Sequence, residues 1–342
     1  MTAYMNVDLH SHFFPLDAFL KAEKYSGSAP KIIRDTGGYA VVSPAGRRGN
    51  LPQGAYDAGA RIRDLDTMRI DLQAISPSPI LLYYWDSPDS AAYFSRLQNE
   101  AIQGVVEAHP QRFAGLGTVP LQSVREAIAI AEEAKKLGLT GLEIGTSVGG
   151  KQLADAEFES FYEAVQGLDL LLFIHPIEGG DQDRRDPFAG ILNNVASFPY
   201  HTTIAVERMI LQGIFERFPN LRVCLAHGGG FLPSNIWRLD HAYLQRSELR
   251  GALPKRPSEY LKQMYFDSLV LSTMALQHLV QAVGPERVVI GTDYPMAMGD
   301  REPVGKIEAL SQMNEEERSC ILEKNALRAL KRSDRIGSRS GV

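Results

Sequence analysis

The chain has 342 residues, 44% of them hydrophobic, enough to bury a large core as one α/β barrel or two smaller domains. Its 36 Lys and Arg against 41 Asp and Glu leave a formal charge of −5, so no overall basic field draws nucleic acid or anionic lipid. Two cysteines, Cys224 and Cys320, exclude a disulfide scaffold and suit a reducing compartment, and no apolar run approaches the roughly 20 residues of a bilayer span. With no basic segment or long apolar stretch before Asp8, the expected location is the cytoplasm, with no membrane and no nucleic acid as partner.

In chain order, short aliphatic runs ending in Gly, Pro, Asp or His occur at Asn6–His12, Leu72–Pro77, Phe113–Val119, Gly141–Thr146, Leu170–His175, Arg222–His227, Met264–Ser268 and Val288–Asp293. Between them, helical periodicity runs through Ser90–Ala108, Ser123–Leu137, Ala156–Gln166, Thr203–Phe218, Thr273–Val283 and Glu315–Leu330. Alternating β and α units of this number predict a (β/α)8 TIM barrel with its active site at the carboxyl ends of the strands. A doubly wound open sheet is the alternative and would usually have fewer strands. Residues 13–60 are too long for an ordinary βα loop and are expected to form a small insertion over the barrel mouth, with Tyr39–Val42 as a short strand. Ile177–Tyr200 is expected to be irregular and to line the same mouth. One domain over 1–332 and a frayed tail over 333–342 complete the expectation.

His10 and His12 are two apart on the first strand, so both imidazoles share one face. His175, His227 and Asp293 each end an apolar strand, where burial of a polar group without a partner is costly. In a barrel all five converge above the strand ends. Imidazole and carboxylate donors suit zinc, manganese or iron, and three histidines with one aspartate leave a position open for water or substrate. Three glycines follow His227 and predict a tight turn with close backbone approach. Glu143, in the fourth strand, is expected behind the site or in a structural role, and no lysine in that strand is placed to bridge two metals, so one metal is expected. His109 reads as a helix cap or loop residue, and His201 and His278 as surface or packing residues; His241 stays open. Arg238, on the helix after His227, is expected either to reach substrate or to pair with Asp240.

Asp8-Leu9-His10-Ser11-His12-Phe13-Phe14-Pro15, Phe173-Ile174-His175-Pro176, Ala226-His227-Gly228-Gly229-Gly230 and Gly291-Thr292-Asp293-Tyr294-Pro295 together resemble the amidohydrolase-2 family, within it the 2-amino-3-carboxymuconate-6-semialdehyde decarboxylase branch. The likeness extends to Arg61-Ile62-Arg63-Asp64-Leu65-Asp66 and Phe215-Glu216-Arg217-Phe218-Pro219. It implies one divalent metal, commonly Zn2+ with Mn2+ as the other choice, held by His10, His12, His175 and Asp293, with His227 as acid/base. It implies too that Arg47 or Arg48 and Arg238 bind substrate carboxylates, Arg238 across a homodimer interface. The chain departs from the branch at Ile177-Glu178-Gly179-Gly180-Asp181 and at Met296-Ala297, two pocket walls. The expected activity is therefore metal-dependent, non-oxidative decarboxylation of an unsaturated or aromatic carboxylic acid, a small-molecule substrate whose identity stays open. The alternative is hydrolysis of a C–C, ester or amide bond at the same site; a non-catalytic, metal-stabilised barrel is a third reading.

Overall fold

The computed structural model describes residues 4–16, 19–20, 31–35, 38–43, 46–177 and 188–332, so the expected tail over 333–342 lies outside it. Val7–Asp8 (β1) and His12–Phe13 (β2) begin the barrel, and Lys31–Asp35 (β3), Gly38–Ser43 (β4) and Gly46–Asn50 (β5) form a separate antiparallel sheet. Leu72–Pro77 (β6), Phe113–Thr118 (β7) and Gly141–Gly145 (β8) follow, then a two-stranded ribbon of Ser147–Val148 (β9) and Lys151–Gln152 (β10). Leu171–His175 (β11), Arg222–Leu225 (β12), Met264–Asp267 (β13) and Val288–Val289 (β14) complete the set. The main sheet runs β1-β6-β7-β8-β11-β12-β13-β14, every pair parallel, and isolated parallel bridges Asp8 to Ile290 and Ser11 to Tyr294 join its ends. This is the TIM barrel, not the open sheet.

The seam between first and last strands is less regular than the sequence predicts. Asn6–His12 reads as one strand, but the His10 N–H is taken by the Asp8 carboxylate at 3.1 Å, and regular pairing stops at Asp8 and resumes at His12. Val288–Asp293 shortens to β14 and an isolated bridge at Ile290, and Asp293 itself adopts φ +54, outside the extended region.

The helices are Ala58–Thr67 (α1), Pro88–Ala108 (α2), Val124–Leu137 (α3), Glu159–Gly167 (α4), Phe198–Leu211 (α5), Leu232–Gln245 (α6) and Thr273–Val283 (α7), with shorter turns between. Ser87 caps α2 by accepting the Ser90 N–H at 3.3 Å, and Ala127, Ile130, Ala131 and Ala134 form the buried stripe of α3. The structure departs from one helical and one irregular expectation. Thr203–Phe218 is broken at Gly213, whose φ of +69 ends one helix and starts a short second one. The described part of Ile177–Tyr200 is not irregular: residues 189–200 are helical, with a widened turn over Asn193–Ser197, and Pro199 is tolerated in the first turn of α5.

Inside the barrel, Val7, Leu9, Leu72, Ala74, Leu116, Leu171, Phe173, Cys224, Ala226 and Val289 pack as one cluster, while a larger one fills the space between strands and helices. Val41 of β4 joins a third cluster with Phe14, Ile80, Leu81 and Tyr83. These partners follow β2 and β6, so the small sheet stands at the carboxyl ends of the strands, where the sequence places the insertion.

Candidate active site

Each strand delivers its polar residue to the same end of the barrel. His10 Nε2 lies 3.3 Å from His12 Nε2, and Asp293 Oδ1 lies 3.5 Å from the first and 3.1 Å from the second. His175 completes the group, with one donor atom of each residue within 4.8 Å of every other. All four residues are buried. The His227 ring stands against this cluster, its centroid 4.9 Å from that of His175 and 5.2 Å from that of His10, with Nε2 4.0 Å from Asp293 Oδ2. The five residues singled out in the sequence are thus together.

The far sides of the three imidazoles are held. His10 Nδ1 donates to Asp267 Oδ2 at 2.6 Å, His175 Nδ1 to the Pro176 carbonyl at 2.6 Å, and His12 Nδ1 faces the Pro77 carbonyl at 3.3 Å and Glu143 Oε2 at 3.5 Å. With Nδ1 carrying the proton, each Nε2 lone pair points inward, the arrangement of a metal-ligating histidine and its outer partner. His175 Nε2 is buried without a hydrogen-bond partner among the described residues. Spacings of 3.1–3.5 Å match the edge of a ligand shell whose bonds are about 2.0–2.2 Å long. The donor set therefore fits one divalent ion.

Electrostatics point the same way. Burial disfavours charge on His12, yet Glu143 and Asp293 raise its pKa to about 10. Burial would raise the Asp293 carboxyl, but hydrogen bonds to His12 and His227 hold it well below the ordinary range. His175, desolvated and beside three other imidazoles, is pushed well below its usual value. A pocket that draws positive charge while keeping an imidazole neutral suits a bound cation. Behind it, Asp8 accepts from Thr292 Oγ1 and Gln73 Nε2, each at 2.6 Å, and burial raises its pKa to about 6.

The His227 turn is as tight as its glycines predict. His227 itself has φ +55, and Gly228, Gly229 and Gly230 follow with φ +62, +75 and +67. A Cβ on Gly230 would lie 2.2 Å from the Pro199 carbonyl oxygen. His227 and Asp293 open onto a cavity of about 310 Å³ with an apolar wall that includes Val195, Phe231, Leu269 and Leu279.

The other expectations divide. Arg47 and Arg48 lie on β5, but their side chains are outside the described residues. Arg238, on α6, is exposed and makes no hydrogen bond or ion pair among the described residues; Asp240 instead accepts from Ser258 N and Oγ at 2.9 and 2.7 Å. His109 caps α2, His201 sits on α5 beside Tyr200 and His241 is exposed on α6. His278, read as a surface or packing residue, is exposed and also lines the cavity with His227. Asp267 was missed altogether, although it ends the apolar run Met-Tyr-Phe-Asp just as the other site residues end theirs.

The family model described as amidohydrolase matches residues 7–332. The chain is 33% identical over 330 residues to the 2-amino-3-carboxymuconate-6-semialdehyde decarboxylase of Dictyostelium discoideum, covering 95% of this chain and 91% of the relative. Its structure resembles that of the Metarhizium anisopliae IDCase in apo form, with a TM-score of 0.84 at 25% identity over 96% and 98% of the two chains. A dihydroxybenzoic acid decarboxylase from Polaromonas sp. JS666, solved with bound manganese and the inhibitor 2-nitroresorcinol, shares the fold with a TM-score of 0.77 at 22% identity over 96% and 97%. The chain belongs to the amidohydrolase-2 family.

Proposed function

We propose that this protein is a metal-dependent, non-oxidative decarboxylase of an unsaturated or aromatic carboxylic acid. The observation that carries the reading is the cluster of His10, His12, His175 and Asp293, with His227 beside it at the wall of a cavity sized for a small ring. The near full-length likeness to a decarboxylase favours loss of CO2 over hydrolysis.

His10, His12, His175 and Asp293 would hold one divalent ion, which when bound supplies positive charge to grip a substrate oxygen and stabilise the electron density left as the carboxylate departs. We take zinc as that ion, with manganese, present in the Polaromonas enzyme, as the alternative. His227 is the proton carrier: it delivers a proton to the carbon that loses CO2, and Asp293 Oδ2, 4.0 Å away, steadies the charged imidazole. The apolar wall packs against the substrate's planar face and keeps water from the reacting carbon.

Substrate carboxylates are bound by Arg47 or Arg48 and by Arg238, the last reaching into the site of a homodimer partner. Supporting this, Arg238 has no partner among the described residues of its own chain, and it follows Trp237, 54% exposed, on the helix that comes directly after Phe231, a residue of the cavity wall. Unpaired cysteines, Cys224 and Cys320, favour a cytoplasmic location. No described helix is long and apolar enough to cross a membrane.

Metal analysis of the purified chain, followed by assays of CO2 release from 2-amino-3-carboxymuconate 6-semialdehyde and 2,6-dihydroxybenzoate, tests the proposal. The expected result is one metal per chain and CO2 release abolished by chelation and restored by Zn2+ or Mn2+. Metal-dependent cleavage of ester or amide substrates without CO2 release would make it a hydrolase, and full activity in metal-free protein would sink both readings.

A further inference from the structure

Arg61, on α1, is completely buried. Its Nη2 donates to the His12 carbonyl at 2.6 Å and to the Tyr294 carbonyl at 3.2 Å, and the Tyr294 carbonyl also accepts the His12 N–H at 2.7 Å. The guanidinium carbon lies 4.6 Å from the centre of the Tyr294 ring and 5.5 Å from that of Phe13. Arg301 covers Tyr294 too, at 4.7 Å, and the Tyr294 hydroxyl donates to the Asp64 carboxylate. One guanidinium thus ties the backbone of His12 to the backbone that immediately follows Asp293. These segments belong to the first and last strands, where the barrel is joined by isolated bridges instead of a continuous ladder.

Filling space does not account for this side chain. A buried guanidinium bears a large desolvation cost, and Nε and Nη1 find no acceptor among the described residues. A methionine would occupy similar volume without that cost. What methionine lacks is the donor between the two carbonyls and the cationic face on Tyr294.

We infer that Arg61 is a positioning residue that sets the spacing between His12 and Asp293 by clamping the barrel seam behind them. The inference rests on the metal-site reading proposed above and adds a residue that touches neither ion nor substrate. Arg61 should therefore control how tightly and in what geometry a metal is held, beyond any effect on folding.

The test is Co2+ titration of chelator-stripped full-length protein, reading the binding curve and the visible d–d absorption, for wild type, Arg61→Met, Arg61→Lys and Ile130→Ala. The last removes a fully buried side chain on α3, remote from the seam, and serves as a stability control. Metal-free Tm is measured for each. Arg61→Met should bind Co2+ at least about tenfold more weakly than wild type, within the usual range for loss of an outer partner, with an altered absorption band. Arg61→Lys, which keeps a charge but not the planar fork, should fall between. Ile130→Ala should lower Tm while binding Co2+ as wild type does. Arg61 variants matching wild type in affinity and spectrum would overturn the inference; if Arg61→Met does not fold, Arg61→Lys decides it. Affinity that merely tracks Tm across all variants, the control included, would overturn it as well. Failure of wild type itself to bind Co2+ would instead remove the metal-site reading, and this inference with it.

Discussion

His10 and Asp267, 257 residues apart in sequence, meet in a fully buried 2.6 Å hydrogen bond. The same carboxylate accepts the backbone N–H groups of His227, Gly228 and Leu269 at 2.9, 2.8 and 3.0 Å. Four donors converge on two oxygens, so one side chain orients a proposed ligand and the turn that carries the proposed proton carrier.

Asp267→Asn should therefore be more damaging than its similar shape suggests. Whichever way the carboxamide turns, its NH2 meets donors: His10 and His227 on one side, Gly228 and Leu269 on the other. Metal affinity should fall about 10–100-fold, read by competition with a chromophoric chelator. Wild-type affinity would mean that His10 is oriented without it.

His227→Asn should keep its metal and lose turnover by roughly 10²–10⁴-fold, the usual contribution of a positioned acid or base. Elemental analysis beside steady-state kinetics checks it. Parallel loss of metal would make His227 a ligand, and near-normal turnover would remove it from the reaction.

Arg238→Ala and His227→Asn, each inactive alone, should regain part of the activity when mixed and allowed to exchange subunits. If Arg238 serves the partner's site, a mixed dimer has one pocket with both defects and one intact. No recovery after verified exchange would place Arg238 outside the neighbouring pocket.

Gly230→Ala and Gly104→Ala should move stability in opposite directions. Alanine at Gly230 must hold a positive φ and push its Cβ against the Pro199 carbonyl, so a loss of about 1–3 kcal/mol is expected together with reduced turnover from the displaced His227 turn. Gly104 lies within α2 with open space where its Cβ would stand, and alanine there should add roughly 0.5–1 kcal/mol. Thermal denaturation of the two variants distinguishes a strained turn from an ordinary helix position.

The sequence makes the barrel legible because each buried parallel strand is a nearly unbroken apolar run, as in Leu171–His175, and the polar residue ending such a run stands out. That contrast finds His175, His227 and Asp293. Asp267 obeys the same rule, but a single aspartate before Ser-Leu carries no motif to set it apart. Arg61 is less visible still: it lies on an amphipathic helix among Arg63, Asp64 and Asp66, where a charge ordinarily faces water, and only the tertiary fold turns it inward. The broken pairing at the seam comes with a positive φ at Asp293 and with Asp8 capturing a backbone N–H, neither of which periodicity encodes.

Because the cluster straddles the junction of first and last strands, His10 and His12 meet an aspartate that follows the last strand of the barrel. His10 and His12 accompany the first strand position, whereas Asp293 arrives only after all eight strand positions of the barrel have been laid down. The loop closed by their meeting spans nearly the whole barrel, so this contact has a high sequence separation and bears a loop-closure cost that local pairings do not. A growing polypeptide with a complete His-x-His pair is thus still without its carboxylate, and the full donor set becomes available only when the ring of strands shuts.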